Sequence, residues 1–190
     1  MSSVSFIGLG GMTRAIGARA VRGGNAVEVV GRDAAKARDL AAALGGGATA
    51  GTFGAAPAGD IVVLAVPYAA AAPVLARYWD ALAGKVIIDI SNTFNAGATA
   101  LVTAGGTSGA QEVAKAAPAG AHVVKAFNTV FGHVLAQGRS MGVLIAGDDA
   151  QAKASVSAFI DSLGLRPLDA GDLAMAHWLE GAGLLMMGLA

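Results

Sequence analysis

The sequence contains no cysteine, which excludes disulfide frameworks, thiolate metal sites and cysteine nucleophiles together. Histidine is nearly as scarce: His122, His133 and His177 are too scattered to form a metal set, and no metal site is expected. Neither sign of charge prevails, since 13 basic side chains meet 13 acidic ones, and such a chain has no electrostatic reason to seek nucleic acid or an anionic membrane. The opening Met-Ser-Ser-Val-Ser lacks the basic region and apolar run of a secretory signal, which makes the cytoplasm the expected location. Long apolar runs are also wanting. The longest, Ile61 to Ala76, falls short of the ~20 residues a spanning helix needs and contains Pro67 and Pro73, so it reads as a buried strand followed by a helix.

Apolar side chains, by contrast, make up 55% of the 190 residues, enough for one domain around a full core. The chain is organised around its first twenty residues. Val4 to Ile7 have strand character, Gly8-Leu9-Gly10-Gly11-Met12-Thr13 forms a glycine turn, and Met12, Ile16 and Ala20 then share one helical face. That is the strand, turn and helix of a dinucleotide-binding unit. Gly8 permits a tight exit from the strand, and Gly10 lets a pyrophosphate approach the amides at the helix N-terminus. Thr13 stands where the third glycine of the motif belongs, and implies either slightly wider packing or a hydroxyl that itself reaches a phosphate.

Ala26 to Val30 reads as the second strand, ending at Gly31-Arg32-Asp33. An acidic residue at this corner suits an unphosphorylated ribose, whereas the planar fork of an arginine suits a 2′-phosphate. Arg32, with Lys36 one turn further on, therefore favours NADP(H), while Asp33 is open to two roles: cap of the helix Ala34 to Leu44, or partner of the ribose. Ala48 to Phe53 is a candidate third strand. Ile61 to Val66 is the strongest strand, and Val66, Pro67 and Tyr68 at its carboxyl end are candidates for packing on the cofactor.

Two later strands deliver polar groups to the same edge. Lys85 to Ile90 is followed by Ser91, Asn92 and Thr93, and His122 to Ala126 by Phe127, Asn128 and Thr129, side chains able to bind a carboxamide or a ribose. Between them a helix from Ala70 to Leu82, a loop from Asn95 to Gly109 and a short helix from Gln111 to Ala117 are expected. Gly142 to Ala146 is a further strand. Asp148-Asp149 cap a helix bearing Val156, Phe159, Ile160 and Leu163, Leu165 to Gly171 is an edge strand and turn, and a last helix starts near Leu173. That helix is apolar nearly all round and is expected to be buried, against a second subunit among the options.

Taken together, Ile7-Gly8-Leu9-Gly10, Gly31-Arg32, Val66-Pro67, Asp89-Ile90-Ser91-Asn92, Val124-Lys125-Ala126-Phe127-Asn128-Thr129, Ala146-Gly147-Asp148-Asp149 and Leu165-Arg166-Pro167-Leu168-Asp169-Ala170-Gly171-Asp172-Leu173 resemble the NADPH-dependent coenzyme F-420 reductases. The reductase domains of the STEAP metalloreductases look similar. The resemblance implies a single α/β domain over 1–190: a Rossmann-type doubly wound, mainly parallel sheet within about 1–147, and a short helical C-terminal extension, about 148–190, on the dimer and substrate side. It implies NADP(H) and a small-molecule hydride acceptor, coenzyme F-420 or a flavin, with a homodimer formed through the C-terminal helix. Gly10, Gly11, Met12 and Thr13 would hold the pyrophosphate, Arg32 and Lys36 the 2′-phosphate, and Pro67, Ser91 and Asn128 the nicotinamide side. Hydride transfer between two rings requires no side-chain acid or base, and no catalytic side chain is assigned. Two alternatives stay open: a flavin, ferric or quinone reductase using the same NADPH site, and a non-catalytic NADP(H)-binding module.

Overall fold

The computed structural model describes residues 1–103 and 105–189. Strands and helices alternate along the chain: β1 (Ser3–Ile7), α1 (Gly11–Arg22), β2 (Ala26–Val30), α2 (Ala34–Leu44), β3 (Thr49–Ala50), β4 (Ile61–Leu64), α3 (Tyr68–Tyr78), β5 (Val86–Asp89), α4 (Gly109–Ala116), β6 (His122–Ala126), α5 (Gly132–Ala136), β7 (Gly142–Gly147), α6 (Ala150–Ser162), β8 (Arg166–Asp169) and α7 (Ala176–Leu189). Short 3₁₀ turns at Trp79–Leu82 and Leu173–Met175 follow α3 and precede α7. The strands form one sheet in the order β3-β2-β1-β4-β5-β6-β7-β8, a Rossmann-type doubly wound arrangement. All neighbours run parallel except β6 and β7, so β7 and β8 are reversed relative to the rest.

The apolar strands are buried because helices cover both faces. One core layer joins Phe6, Val29 and Val124 to Ile16 of α1, Leu40 of α2, and Val156, Phe159 and Ile160 of α6. The opposite layer joins Ile7, Val62, Leu64 and Ile87 to Val74 and Leu75 of α3, Val113 of α4, and Leu173 and Ala176 before and within α7. Strand order reverses between β1 and β4, where Ile7 lies opposite Leu64, and the crevice outside that point is where such sheets take a ligand.

Several boundaries differ from the sequence reading. The third strand shrinks from Ala48–Phe53 to two exposed residues, because it pairs only at the sheet edge with Glu28 and Val29. The helix expected from Ala70 begins at Tyr68, directly after Pro67, and runs through Pro73. Asn95 to Gly109 carries a bridge between Phe94 and Leu101, and its Ala104 lies outside the described residues. Within 148–190, Arg166–Asp169 forms the edge strand expected between Leu165 and Gly171, the eighth of the sheet, so the extension is not purely helical. The last helix is not wholly covered by its own chain: Ala176, Leu179, Glu180 and Gly183 are buried, whereas Trp178, Leu185, Met187 and Leu189 are exposed. None of the helices among the described residues is long and apolar enough to cross a membrane.

Candidate functional site

The crevice at the switch point is a cleft of about 1240 Å³ running from the glycine turn to α3, with Gly8, Gly10, Gly31, Arg32, Val66 and Pro67 among its lining residues. Its floor depends on Gly8. That residue has φ +123°, and a Cβ there would lie 2.1 Å from the carbonyl oxygen of Ala65, so only glycine lets β1 turn out over β4. Gly10 and Gly11 differ from it. A Cβ on either would meet nothing within 4 Å, which leaves the first turn of α1 open to a ligand's backbone approach.

Thr13 does not face that opening. Its side chain is fully buried and its hydroxyl donates to the Gly8 carbonyl at 2.8 Å, so the group expected to hold a phosphate instead braces the turn from beneath. Asp33 is resolved in favour of the cap. Its Oδ1 accepts from the Ala35 amide at 3.0 Å and the Lys36 amide at 3.1 Å. The Lys36 amide bond, more than any other influence, holds its carboxyl below the usual carboxylate range. The Lys36 ammonium turns to the same carboxylate at 3.7 Å and does not line the cleft. Arg32 does line it, exposed and without an ion-pair partner among the described residues.

Tyr68 is placed elsewhere than the sequence suggests. Its hydroxyl donates to the Glu112 carboxylate and its ring lies against the start of α4, so it ties α3 to α4 and does not line the cleft. Hydrogen bonding to that carboxylate pushes the phenol up to about 12.

Beside the cleft a second, smaller pocket of about 180 Å³ is bordered by Met12, Asn92, Asn128, Thr129, Met186 and Met187. Asn92 and Asn128 form a reciprocal pair: Asn92 Nδ2 donates to the Asn128 carbonyl at 3.0 Å, and Asn128 Nδ2 to Asn92 Oδ1 at 3.1 Å. Asn128 Nδ2 also donates to the Leu179 carbonyl at 2.8 Å, which fixes the amide and holds α7 to the pocket. Asn128 Oδ1 and Ser91 Oγ are buried without a hydrogen-bond partner among the described residues. Phe127, immediately before Asn128, is fully buried with φ +61°, a conformation that costs a bulky residue about 1–3 kcal/mol. The core holds its ring while the backbone turns Asn128 toward the pocket.

Beneath these groups lies a cluster the sequence reading missed. Lys125 Nζ donates to Asp89 Oδ2 at 2.8 Å and to the Ser91 carbonyl at 2.7 Å, and meets Glu180 Oε1 at 2.8 Å. All three charged residues are fully buried. Glu180 Oε2 accepts from Thr93 Oγ1 at 2.7 Å and from the Gly109 amide at 3.0 Å, and Oε1 from the Ala110 amide at 3.3 Å. Two carboxylates therefore share one ammonium and the N-terminus of α4, whose dipole favours the excess negative charge. The outcome is a rigid support linking β5, β6, α4 and α7 directly behind Ser91 and Asn128. Among the described residues no group of three or more potential ligands is placed to hold a metal ion.

A doubly wound sheet with an open glycine turn at its switch point is the architecture of a dinucleotide-binding fold. Residues 3–93 match the model of the family described as NADP oxidoreductase, coenzyme F420-dependent. A curated relative, Metalloreductase STEAP3 of Rattus norvegicus, is 37% identical over 111 residues, which are 57% of this chain and 22% of that protein. A hypothetical protein of Sinorhizobium meliloti superposes with TM-score 0.82 at 28% identity over 92% of this chain and 87% of its own. A structure assigned as an F420-dependent NADP reductase of an Arthrobacter species does so with TM-score 0.84 at 24% identity, over 100% of this chain and 92% of its own. The family match is confined to residues 3–93, and the chain spans about a fifth of the STEAP3 protein it matches.

Proposed function

We propose that this protein binds NADPH along the cleft and passes its hydride to a planar acceptor in the adjoining pocket, coenzyme F420 being the first candidate and a flavin the second. The observation that carries the reading is how α1 relates the two cavities: Gly10, at its cap, lines the first, and Met12, in its first turn, borders the second, where Asn128 carries an acceptor oxygen without a partner among the described residues. The open backbone at Gly10 and Gly11 fits a pyrophosphate, Arg32 a 2′-phosphate, and Asn128, which borders the small pocket, a carboxamide, whereas Ser91 lines neither cavity. NADPH, when bound, supplies the hydride. The protein's part is to bind and orient two rings and keep water from between them, and proximity of that kind accounts for several orders of magnitude in rate.

The family description and the Arthrobacter relative support F420 as acceptor, and STEAP3 supports a metalloreductase reading of the same NADPH site. The apolar outer strip of α7, with Trp178, Leu185 and Leu189, supports a homodimer through that helix. The test is anaerobic turnover with NADPH, comparing F420, FMN and a ferric chelate. Rapid reduction of F420 alone supports the deazaflavin assignment. Turnover with FMN or iron only moves the acceptor to those classes, and NADPH binding without any turnover overturns the enzymatic reading.

A further inference from the structure

The far end of the cleft carries a second arginine that the glycine-turn logic does not anticipate. Ala70, Pro73, Val74 and Arg77 are spaced along one face of α3, and all four line the cleft opposite the corner formed by Gly31 and Arg32. Ala70, Pro73 and Val74 make an apolar shelf, and Arg77 closes it in the last turn. Phe53, from the loop after β3, lines the same end.

Two features show that the guanidinium is seated there. Gly54 has φ +89°, and a Cβ on it would lie 2.6 Å from Arg77 Nε, so the loop backbone presses directly on the guanidinium group. Among the described residues Arg77, like Arg32, has no ion-pair partner, and the carboxylate lining this end, Asp33, is taken up by the α2 cap and Lys36. The distal cleft thus presents two free guanidinium groups, an aromatic ring and an apolar shelf. Two arginines lining one cavity, neither of them paired with a carboxylate among the described residues, suit a doubly charged oxyanion, which each can grip through paired N–H donors.

We propose that Arg77 is the second cation of the 2′-phosphate site, closing on the phosphate from α3 while Arg32 holds it from the end of β2. This inference rests on the NADPH reading above and replaces Lys36 in the role the sequence suggested for it. Arg77 is thereby a determinant of the choice between NADPH and NADH.

The experiment measures Kd by calorimetry for NADPH, NADH, 2′,5′-ADP and 5′-AMP with the wild type and with Arg77→Ala, Arg77→Lys, Lys36→Ala and Arg32→Ala, each checked for an unchanged melting profile. Loss of a charge-assisted hydrogen bond predicts that Arg77→Ala weakens NADPH and 2′,5′-ADP by about 10-fold or more. NADH and 5′-AMP shift by less than about twofold, and Arg77→Lys recovers part of the loss. Lys36→Ala costs less than Arg77→Ala. Equal losses for phosphorylated and unphosphorylated ligands would overturn the proposal, because Arg77 would then serve the adenine. So would wild-type affinity in Arg77→Ala. A wild type that does not prefer NADPH, with Arg32→Ala also inert, sinks the NADPH reading itself, whereas a wild-type preference insensitive to Arg77 sinks only the role given to Arg77.

Discussion

Lys125 of β6 and Glu180 of α7 face each other at 2.8 Å with neither side chain exposed to solvent. With Asp89 and the Ser91 carbonyl completing the three acceptors of the ammonium, the pair fastens the last helix to the sheet behind the acceptor pocket. Removing one partner strands the others. Glu180→Ala leaves the Gly109 and Ala110 amides and the Thr93 hydroxyl unmatched, and a loss of about 3–5 kcal/mol is expected in urea unfolding. Lys125→Met, which leaves two buried carboxylates facing each other, should cost a similar amount. The double variant Lys125→Met with Glu180→Gln should lose less than the sum of those two changes made singly, and strict additivity would show that the two residues do not act as a unit.

The glycines of the first turn separate stability from binding. Gly8→Ala places a Cβ against the Ala65 carbonyl at a positive φ, and more than about 2 kcal/mol should be lost. Gly10→Ala adds a methyl group in open space, so it should fold to within about 1 kcal/mol of the wild type, allowing for its helix-capping position. Its NADPH affinity should nonetheless fall steeply. Normal affinity in Gly10→Ala would remove the pyrophosphate from this turn.

Thr13→Val tests the bracing role of the hydroxyl. The Gly8 carbonyl loses its donor, which predicts about 1 kcal/mol of destabilisation, with the Kd for NADPH unchanged. A tenfold weaker Kd at normal stability would return Thr13 to the phosphate.

Alkaline titration reads the α3–α4 tie. The Tyr68 phenol is raised above its unfolded value near 10 to about 12, chiefly by its bond to Glu112. The neutral phenol is the form favoured by the fold. Its stabilising contribution is therefore complete below about pH 10 and fades as pH climbs toward 12. Burial raises the other tyrosine, Tyr78, as well. Tyrosinate absorbance of the folded protein should stay low through about pH 10, and Tyr68→Phe should flatten the alkaline fall in stability over that interval. An ordinary titration of both phenols near 10 would contradict the Tyr68–Glu112 bond.

The local signals for fold were strong. Val4 to Thr13 announces strand, turn and helix within ten residues, and the polar exits at Ser91-Asn92 and Asn128-Thr129 lie at one edge because parallel strands end together. The misreadings have two causes: for Lys36 a nearer partner in the chain, and for the others neighbours distant in sequence. Tyr68 follows a strand end, but the α4 residue Glu112 captures it. Lys36 sits one turn from Arg32, but the adjacent cap claims its charge. Asp89, Lys125 and Glu180 become a cluster only when β5, β6 and α7 meet. A trace was visible: two charges break otherwise apolar strand ends, and Glu180 is the one carboxylate in the final helix. That helix is expected from its sequence to be buried, against a second subunit among the options, and within the single chain its outer strip is open to solvent.

The reversal of β7 and β8 has a practical consequence. Both strands run away from the ligand edge, so α7 starts on the far side of the sheet and climbs back, ending with Met186 and Met187 at the mouth of the small pocket. Met1, beside Asp60 and Ile61 at the start of β4, lies at the opposite edge. An affinity tag or fusion partner joined after α7 would emerge beside the acceptor's entrance, whereas one joined before Met1 would leave it clear.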